Sequence, residues 1–305
     1  MPTLTQYQGC LLGTALGDAL GAPFEGGLLE RFVWMLIGKT RDGRMRFTDD
    51  TQMTLDLVQS ILSKRAVDSD DIARRFANSY RWTRGYGPAA ARTLKQIKRG
   101  VPWQTASKLI YQEGSFGNGA AMRVAILGLI FHNRPEEITR AATSTAIITH
   151  AHPLGVEGAV LVAHTASLLA SDTETNSIYE TLLPLAQSDE FISRLKTAKA
   201  WRSSSNSTKP KEVRQHLGNG IAAHQSVVTA IYVALRFRGQ SFLNMFDFIR
   251  QLKSDVDTIA AMSGALWGIA NGVERLPKEI ENVEQHELIR ELACRLFETT
   301  VHFSP

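Results

Sequence analysis

Two adjacent carboxylates, Asp49 and Asp50, stand between threonines at the start of a helical pattern, in FTDDTQMTLDLVQSIL. The apolar residues after them recur at the spacing of one helix face. Neighbouring carboxylates repel each other, so keeping both ionised near an interior requires a cation, a helix dipole or several backbone donors. A divalent metal ion meets that need best. The alternative is that Thr48 caps the helix and that the acids only suit its dipole.

A second acidic turn, Ser254-Asp255-Val256-Asp257-Thr258, opens a helical pattern near the other end of the chain. Its Asp and Thr oxygens repeat the chemistry of the first turn. Hard oxygen ligands without sulfur or imidazole favour Mg²⁺, Mn²⁺ or Ca²⁺ over zinc. A capping box of Ser254 and Asp257 is the structural alternative, and capping and ligation can coexist because a carboxylate has several lone pairs. The pair of turns predicts one shared divalent-metal site.

Two glycine-rich turns precede helical patterns. The first, GSFGNG at residues 114–119, would aim unpaired backbone N–H groups outward from a helix start, which makes it a candidate anion site. A plain turn is the competing interpretation. The second, LGNG at residues 217–220, is interpreted as a structural cap.

Three further positions could contribute to a site. The turn RGYGP at residues 84–88 places Tyr86 beside exposed backbone. In THAHP at residues 149–153 there is no HExxH and no cysteine set, so we interpret His150 as a polar contact to substrate and His152 as structural. Glu25 lies on a turn between Pro23 and Gly26, where it is a solvated acid unless a metal site recruits it.

These residues must be positioned by helices. The opening stretch YQGCLLGTALGDALGAPFEG has glycines four residues apart, which gives a helix one smooth face for close packing. The helix after Asp257, IAAMSGALWGIANG, is also rich in small residues, and we expect the two helices to pack together. From Asp68 onward the pattern is helical, with no sustained strand-type alternation. Further helices are predicted at 69–82, 88–99, 102–111, 119–132, 135–149, 154–170, 175–186, 220–236, 241–252, 256–271 and 284–299.

The composition is that of an ordinary globular protein: 305 residues, 44% hydrophobic and 21% charged. We predict an all-α fold, one domain over residues 1–305, a monomer, and an exposed loop at Trp201–Gly218 that could border the substrate entrance. Cys10 and Cys294 lack metal-type spacing, which indicates a reducing compartment. No signal peptide or membrane span is expected, so the predicted location is cytoplasmic. The net charge of +4 includes basic clusters, interpreted as solvated helix faces rather than a polyanion site.

The motifs GDALGAPFE, FTDDTQM, RGYG, GSFGNGAAMRVA, THAH, LGNGIAA and DVDTIAAMSGALWG together resemble the ADP-ribosylglycohydrolase family, in the family's order and from about Gly9 to Gly272. They are most similar to the branch that cleaves serine-linked ADP-ribose, poly(ADP-ribose) and O-acetyl-ADP-ribose. The resemblance implies a compact, orthogonal, all-α helix bundle with two Mg²⁺ or Mn²⁺ ions. It also implies ADP-ribose and its conjugates as ligands, with no membrane and no sequence-specific nucleic acid. Two departures, Lys253-Ser254 before the second turn and Phe116 in place of a common tyrosine, concern subsite detail.

The resemblance also assigns roles by position. The implied metal ligands are Thr48, Asp49, Asp50, Asp255, Asp257 and Thr258. Glu25 is implied as the mobile acid that reaches the site. The implied substrate-binding residues are Tyr86, Gly87, Gly114, Ser115, Phe116, Gly117, Asn118, Gly119, Met122 and His150, with the glycine loop on the diphosphate and Phe116 against a ring.

The expected reaction breaks the glycosidic bond at C1″ of ADP-ribose. Two cations can chelate vicinal ribose hydroxyls. Charge at an oxocarbenium-like centre is stabilised by a carboxylate while another group handles the proton. Glu25 is the candidate for that proton, with Asp49 or Asp50 orienting a water. The alternatives are an arginine-linkage hydrolase, an inactive ADP-ribose-binding or crystallin-like relative, and a metal phosphohydrolase acting on a nucleotide.

Overall fold

The computed structural model describes residues 1–203 and 208–301. Within these residues the chain forms sixteen α-helices joined by turns and short 3₁₀ segments, with isolated β-bridges but no strand, which confirms the all-α prediction. The helices are α1 Leu4–Gly21, α2 Leu28–Ile37, α3 Asp49–Lys64, α4 Ser69–Ser79, α5 Pro88–Lys98, α6 Trp103–Ala106, α7 Ala125–Ile130, α8 Pro135–Ala146, α9 Pro153–Ala170, α10 Thr175–Leu185, α11 Asp189–Ser203, α12 Pro210–His216, α13 Ala223–Arg236, α14 Phe242–Arg250, α15 Val256–Asn271 and α16 His286–Val301.

The centre of the bundle is the contact between α1 and α15. A β-carbon built on Gly13 would lie 2.2 Å from the carbonyl oxygen of Gly264, and one on Gly9 would lie 2.2 Å from that of Gly268. Real β-carbons do not approach so closely, so the two helices touch backbone to backbone. The expected packing of the two small-residue helices is therefore confirmed, and it explains why glycine is used where alanine would be the better helix former.

Helix α9 is the other central element. It is long and apolar enough to cross a membrane, with a mean hydropathy of 1.4, and 67% of it is buried inside the fold. It packs against α7, α8 and α13. A helix that contacts neighbours on several sides is hydrophobic all round for that reason.

Several predicted boundaries are wrong. The predicted helix 102–111 is only the single turn α6, and the predicted helix 119–132 is a 3₁₀ segment at Asn118–Arg123 followed by α7. Helices α2 and α11 were not predicted. The predicted loop at Trp201–Gly218 contains the end of α11 and all of α12, and residues 204–207 of it lie outside the described residues. The buried guanidinium of Arg123 holds the Asn118–Arg123 turn, because it donates to the Gly119 carbonyl at 2.6 Å within the turn and to the Thr145 carbonyl of α8 at 2.8 Å.

We expect Gly13→Ala to lower the free energy of unfolding by about 1–3 kcal/mol, because the added methyl group overlaps the Gly264 carbonyl and the helices must separate. Thermal and denaturant unfolding measure this. Gly87→Ala is the matched control, since Gly87 has a φ of −56° and nothing within 4 Å of an added β-carbon. Equal stabilities for the two variants would contradict the backbone-to-backbone contact.

Candidate functional site

The first acidic turn begins α3. Thr48 is its N-cap, as predicted, and its hydroxyl accepts from the Asp50 N–H at 3.4 Å and donates to Asp50 Oδ2 at 2.9 Å. Asp50 is 1% exposed, and its other oxygen, Oδ1, is buried with no hydrogen-bond partner in the described residues. A buried carboxylate oxygen without a donor is costly unless a cation approaches it. The side chain thus fits a metal ligand.

Asp18 of α1 fixes the conformation of this turn. Its fully buried carboxylate accepts from the N–H of Thr48 at 2.9 Å and of Thr51 at 3.0 Å, and from the Thr51 hydroxyl at 2.6 Å. Burial raises the pKa of Asp18 to about 6, against the effect of those donors. Asp18 was not predicted as a site residue. The available signal was a single acid inside an otherwise apolar helix.

A buried ion pair holds the turn from the other side. Glu284 accepts from the Phe47 N–H at 3.0 Å and from the guanidinium of Arg84. Arg84 also donates to the Phe47 carbonyl at 2.6 Å and lies over the Phe47 ring. Both backbone groups of the residue preceding Thr48 are therefore satisfied, so the turn enters the site in one defined conformation.

The second acidic turn precedes α15, and the structural alternative considered for it, a capping box of Ser254 and Asp257, is not formed. Asp255, not Ser254, occupies the N-cap position, and its side chain makes no capping hydrogen bond. Lys253 and Ser254 have φ values of 62° and 64°, so the chain reverses there in the left-handed region. This turn frees the Asp255 carboxylate to accept from the Asn118 side chain instead.

The LGNG turn supports this second turn, in agreement with its structural interpretation. The Asn219 side chain donates to the carbonyls of Leu252 at 2.8 Å and Lys253 at 3.2 Å. The Asn219 carbonyl accepts from the Asp255 N–H at 3.2 Å. Asn219 therefore supplies hydrogen-bond partners to three backbone groups of the left-handed turn.

The two turns meet. The Thr258 hydroxyl lies 3.4 Å from Asp50 Oδ2, and carboxylate oxygens of Glu25, Asp255 and Asp257 lie within 4.8 Å of one another. The close contact between α1 and α15 extends as far as this cluster. A β-carbon built on Gly21 would lie 2.4 Å from the Asp257 Cα. The structure therefore brings together the residues predicted from two distant segments.

Burial controls the charge of the cluster. It raises the pKa values of Asp49, Asp50 and Asp257 well above the ordinary value, and that of Asp255 to about 7. Repulsion between the carboxylates acts in the same direction, and Glu25 is one of its sources. A bound cation would favour the ionised forms. An acidic cluster of this kind could bind a metal ion, and the residues present fit one.

The glycine loop, residues 114–119, packs on His150. A β-carbon on Gly119 would lie 2.6 Å from His150 Cε1, so glycine is required for the ring to reach this position. The Thr149 hydroxyl bonds to His150 Nδ1 at 2.8 Å. Burial and the nearby Arg123 lower the pKa of His150 to about 3, which keeps the imidazole neutral. The structure places His150 behind the loop, and its contact with substrate stays a prediction.

The expectation that this loop points free amides outward is wrong at three positions. The N–H of Gly114 donates to the Tyr111 carbonyl at 2.8 Å, that of Gly117 to Ser115 Oγ at 3.2 Å, and that of Asn118 to the Ile221 carbonyl at 2.9 Å. The Phe116 carbonyl accepts from the Ala223 N–H at 2.9 Å. These bonds make the loop rigid and attach it to the segment before α13.

The aromatic residues differ in exposure. Phe116 is 47% exposed, with its ring near those of His152 and His224, so one face remains available for stacking. Tyr86 and Met122 are buried. His152 caps α9 by accepting from the Leu154 N–H at 3.1 Å, which confirms its structural role.

Arg123 is a second residue that the sequence did not reveal. It is fully buried and donates to the carbonyls of Gly119 at 2.6 Å and Thr145 at 2.8 Å, and to the Thr149 hydroxyl at 3.0 Å. Burial lowers its pKa to about 9, so the guanidinium is charged at neutral pH. Arg123 therefore connects the glycine loop to the end of α8 and fixes the position of one relative to the other.

The sequence profile of the ADP-ribosylglycohydrolase family matches residues 2–303, and the chain belongs to that family. It is 32% identical to ADP-ribosylhydrolase ARH3 of Gallus gallus over 92% of this chain and 89% of the relative. It is 31% identical to ADP-ribosylhydrolase ARH3 of Homo sapiens, over 97% and 94%. A solved structure described as an ADP-ribosylglycohydrolase-related protein complex matches the fold with a TM-score of 0.71 and 24% identity, covering 97% of this chain and 98% of that chain.

We expect Asp257→Ala to abolish measurable Mg²⁺ binding while the helices remain intact, because its carboxylate clusters with those of Glu25 and Asp255. Calorimetric titration measures the affinity, and circular dichroism checks the helices. Asp247→Ala, which removes an exposed acid of α14, is the matched control. Unchanged Mg²⁺ affinity in Asp257→Ala would exclude a site shared by the two turns.

The raised pKa values predict a pH dependence of stability in EDTA. A carboxyl whose folded pKa exceeds its unfolded value contributes stability below the unfolded value of about 4. That contribution is lost as the pH rises through the folded pKa, which is about 6 for Asp18 and about 7 for Asp255. Asp257→Ala should therefore melt at or above the parent temperature at pH 7.5, because it removes one repelling charge. The difference in melting temperature between variant and parent should shrink at pH 5, because protonation of the carboxylates reduces their repulsion in the parent protein as well.

A constant difference in melting temperature between the two proteins from pH 5 to pH 7.5 would contradict this electrostatic account. Asp247→Ala should follow the parent at both pH values.

Proposed function

We propose that the protein is a metal-dependent hydrolase that cleaves the glycosidic bond at C1″ of ADP-ribose conjugates and releases ADP-ribose. The proposed substrates are O-linked ADP-ribosyl-serine, poly(ADP-ribose) and O-acetyl-ADP-ribose. The observation that carries the proposal is the convergence of two acidic turns on one cluster that includes Glu25. Similarity to relatives named ADP-ribosylhydrolase ARH3, at 31–32% identity, supports ADP-ribose conjugates as the substrate class, and the choice of linkages rests on the motif resemblance.

The proposed ligands of two Mg²⁺ or Mn²⁺ ions are Thr48, Asp49, Asp50, Asp255, Asp257 and Thr258. When bound, such ions would orient ribose hydroxyls and polarise oxygens. The orphaned Asp50 Oδ1 and the crowded carboxylates support this assignment. Asp18 would act through the first turn as a positioning residue, since it holds the N–H groups of Thr48 and Thr51.

The proposed substrate contacts lie beside this cluster. The glycine loop at residues 114–119 would hold the diphosphate, and the exposed face of Phe116 would stack against a ring of the substrate. Asn118 supports the placement of this loop next to the metal ligands, because its side chain bonds to Asp255. Tyr86, Gly87, Met122 and His150 would line the pocket.

Glu25 is proposed to handle the proton of the reaction. It is half-buried just after the 3₁₀ segment that ends α1, and Gly26 follows it with a φ of 68°. Its carboxylate lies among the proposed ligands, within 4.8 Å of the carboxylate oxygens of Asp255 and Asp257. Asp49 or Asp50 would orient the attacking water.

Two other functions are less well supported. An inactive relative would be expected to lack one or more of the acids, and all are present. A phosphohydrolase would need the acidic cluster but not an exposed ring beside a rigid glycine loop.

We further propose that the protein is a monomer and that it is cytoplasmic. Two cysteines that form no disulfide support the proposed location.

The test of this function is incubation of purified protein with serine-linked, arginine-linked and polymeric ADP-ribose, with Mg²⁺ or with EDTA. Mass spectrometry identifies the products. We expect intact ADP-ribose in Mg²⁺ only. Release of phosphate or of a mononucleotide would indicate a phosphohydrolase instead.

The rate with the serine adduct and with O-acetyl-ADP-ribose should exceed that with the arginine adduct. The reason is the resemblance of the SFGNG loop to the branch of the family that cleaves serine-linked ADP-ribose. Single-turnover rates at equal enzyme concentration measure this. A faster arginine reaction would reverse the assignment.

Glu25→Gln should bind ADP-ribose nearly as well as the parent but turn over about 10²–10⁴-fold more slowly, because glutamine keeps the shape and loses the ionisable proton. Glu279→Gln, an exposed acid far along the chain, is the control. A parallel loss of Mg²⁺ affinity would make Glu25 a metal ligand, and parental kcat would remove it from the mechanism.

A further inference from the structure

The segment from residue 72 to residue 112 contains nine arginine and lysine residues and no aspartate or glutamate. The whole chain carries only +4, so the rest of it is net negative. Three of the nine form ion pairs with two carboxylates: Arg74 and Arg75 share Asp71, and Arg84 pairs with Glu284. The excess positive charge therefore lies on α5 and on the turns around it.

The exposed face of α5 carries most of this charge. Arg92, Lys95, Lys98 and Arg99 are all exposed, whereas Thr93 and Leu94 face the protein interior. Among the described residues, no carboxylate forms an ion pair with any of these four cations. Arg92, Lys95 and Lys98 recur every three residues, which separates successive charges by about 4.5 Å along the helix axis, and Arg99 follows directly as the C-cap of α5.

Aromatic groups accompany the charge and connect it to the candidate site. The Lys95 ammonium lies 5.4 Å from the Tyr80 ring centroid, and that ring lies 5.0 Å from the ring of Tyr86. Trp82, two residues after Tyr80, is 74% exposed, although burying an indole would normally be favourable. The basic face thus begins beside the candidate substrate pocket.

A cavity of about 340 Å³ adjoins the same face. Its lining includes Arg74, Asn78, Lys98 and Trp103. The Trp103 indole is fixed by its N–H, which donates to Asp70 at 2.7 Å. Asp70 also lines the cavity, and Arg74 is paired with Asp71, so Lys98 supplies the available positive charge. A fixed ring, an amide and this cation around a concavity suit a planar, hydrogen-bonding base attached to phosphate.

We propose that this basic face, formed by Trp82, Arg92, Lys95, Lys98 and Arg99, binds a single strand of nucleic acid without sequence preference. Exposed aromatic rings together with a track of unpaired cations are what such binding requires. Successive phosphates of a stacked nucleic-acid strand lie ~3.4 Å apart along its length, and the distance between them grows when the strand is extended. This regular spacing of negative charges suits regularly spaced cations.

The test is fluorescence anisotropy of a labelled twelve-residue oligothymidylate, in EDTA so that no turnover is involved. The parent protein should bind with a Kd in the micromolar range at low salt, weakening steeply as salt rises. Arg92→Glu/Lys98→Glu/Arg99→Glu should bind at least tenfold more weakly, and the slope of log K against log salt should fall in magnitude by about 2. Trp82→Ala should bind about tenfold more weakly, the loss of one stacked base.

The control is Lys196→Glu/Lys211→Glu/Arg290→Glu, which changes the net charge equally at exposed positions elsewhere and should bind within about threefold of the parent. Equal losses in the two triple variants, or displacement of the oligonucleotide by polyglutamate of equal charge, would overturn the proposal in favour of general charge attraction. Oligothymidylate binding that the α5 changes leave intact, with poly(ADP-ribose) binding lost, would also overturn it and assign the face to the polymer. Binding in EDTA does not depend on hydrolysis, so failure here leaves the proposed reaction untouched.

Discussion

The close contact between α1 and α15 is the constraint on which the rest of the structure depends. Only a glycine face lets two helices approach until backbone meets backbone, as at Gly13 and Gly264. The consequence for function is positional. Asp18 of α1 accepts hydrogen bonds from the first acidic turn, at Thr48 and Thr51, and Asp257 of α15 belongs to the second. A fixed distance between the helices therefore fixes the distance between the turns.

The acidic cluster costs stability when no cation is present. Its carboxylates are buried, and burial raises their pKa values, so the folded protein holds protons that the unfolded chain would release. Hydrogen bonds from Asn118, Thr48 and Thr258 offset part of this cost but leave one oxygen of Asp50 without a donor. A site of this kind is preorganised for a cation, because the surrounding backbone is held by Asp18, Arg84 and Asn219 and not by the acids themselves.

The sequence was informative where chemistry and local geometry coincide. The TDDT and SDVDT turns, the glycine-faced helices and the glycine loop are all contiguous patterns, and the structure brings them together. Asp18 and Arg123 were missed because their importance is tertiary: each satisfies backbone groups of a segment remote in sequence. The alternative of a capping box at Ser254 is not formed for a related reason, since the chain is left-handed at Lys253 and Ser254 and the distant Asn219 bonds to the Lys253 carbonyl, which no local pattern indicates. Helix α11 was missed because its apolar residues do not follow one clean face.

The central claim is that two sequence-distant acidic turns form one divalent-cation site. Crystals grown with Mn²⁺ test it directly, because anomalous scattering locates the ion independently of any assumed ligand. The account predicts anomalous peaks within about 2.0–2.3 Å of carboxylate oxygens from both turns, with Asp50 and Asp257 contributing to the same cluster. Manganese bound to one turn alone, or absent from the cluster at millimolar concentration, would contradict it.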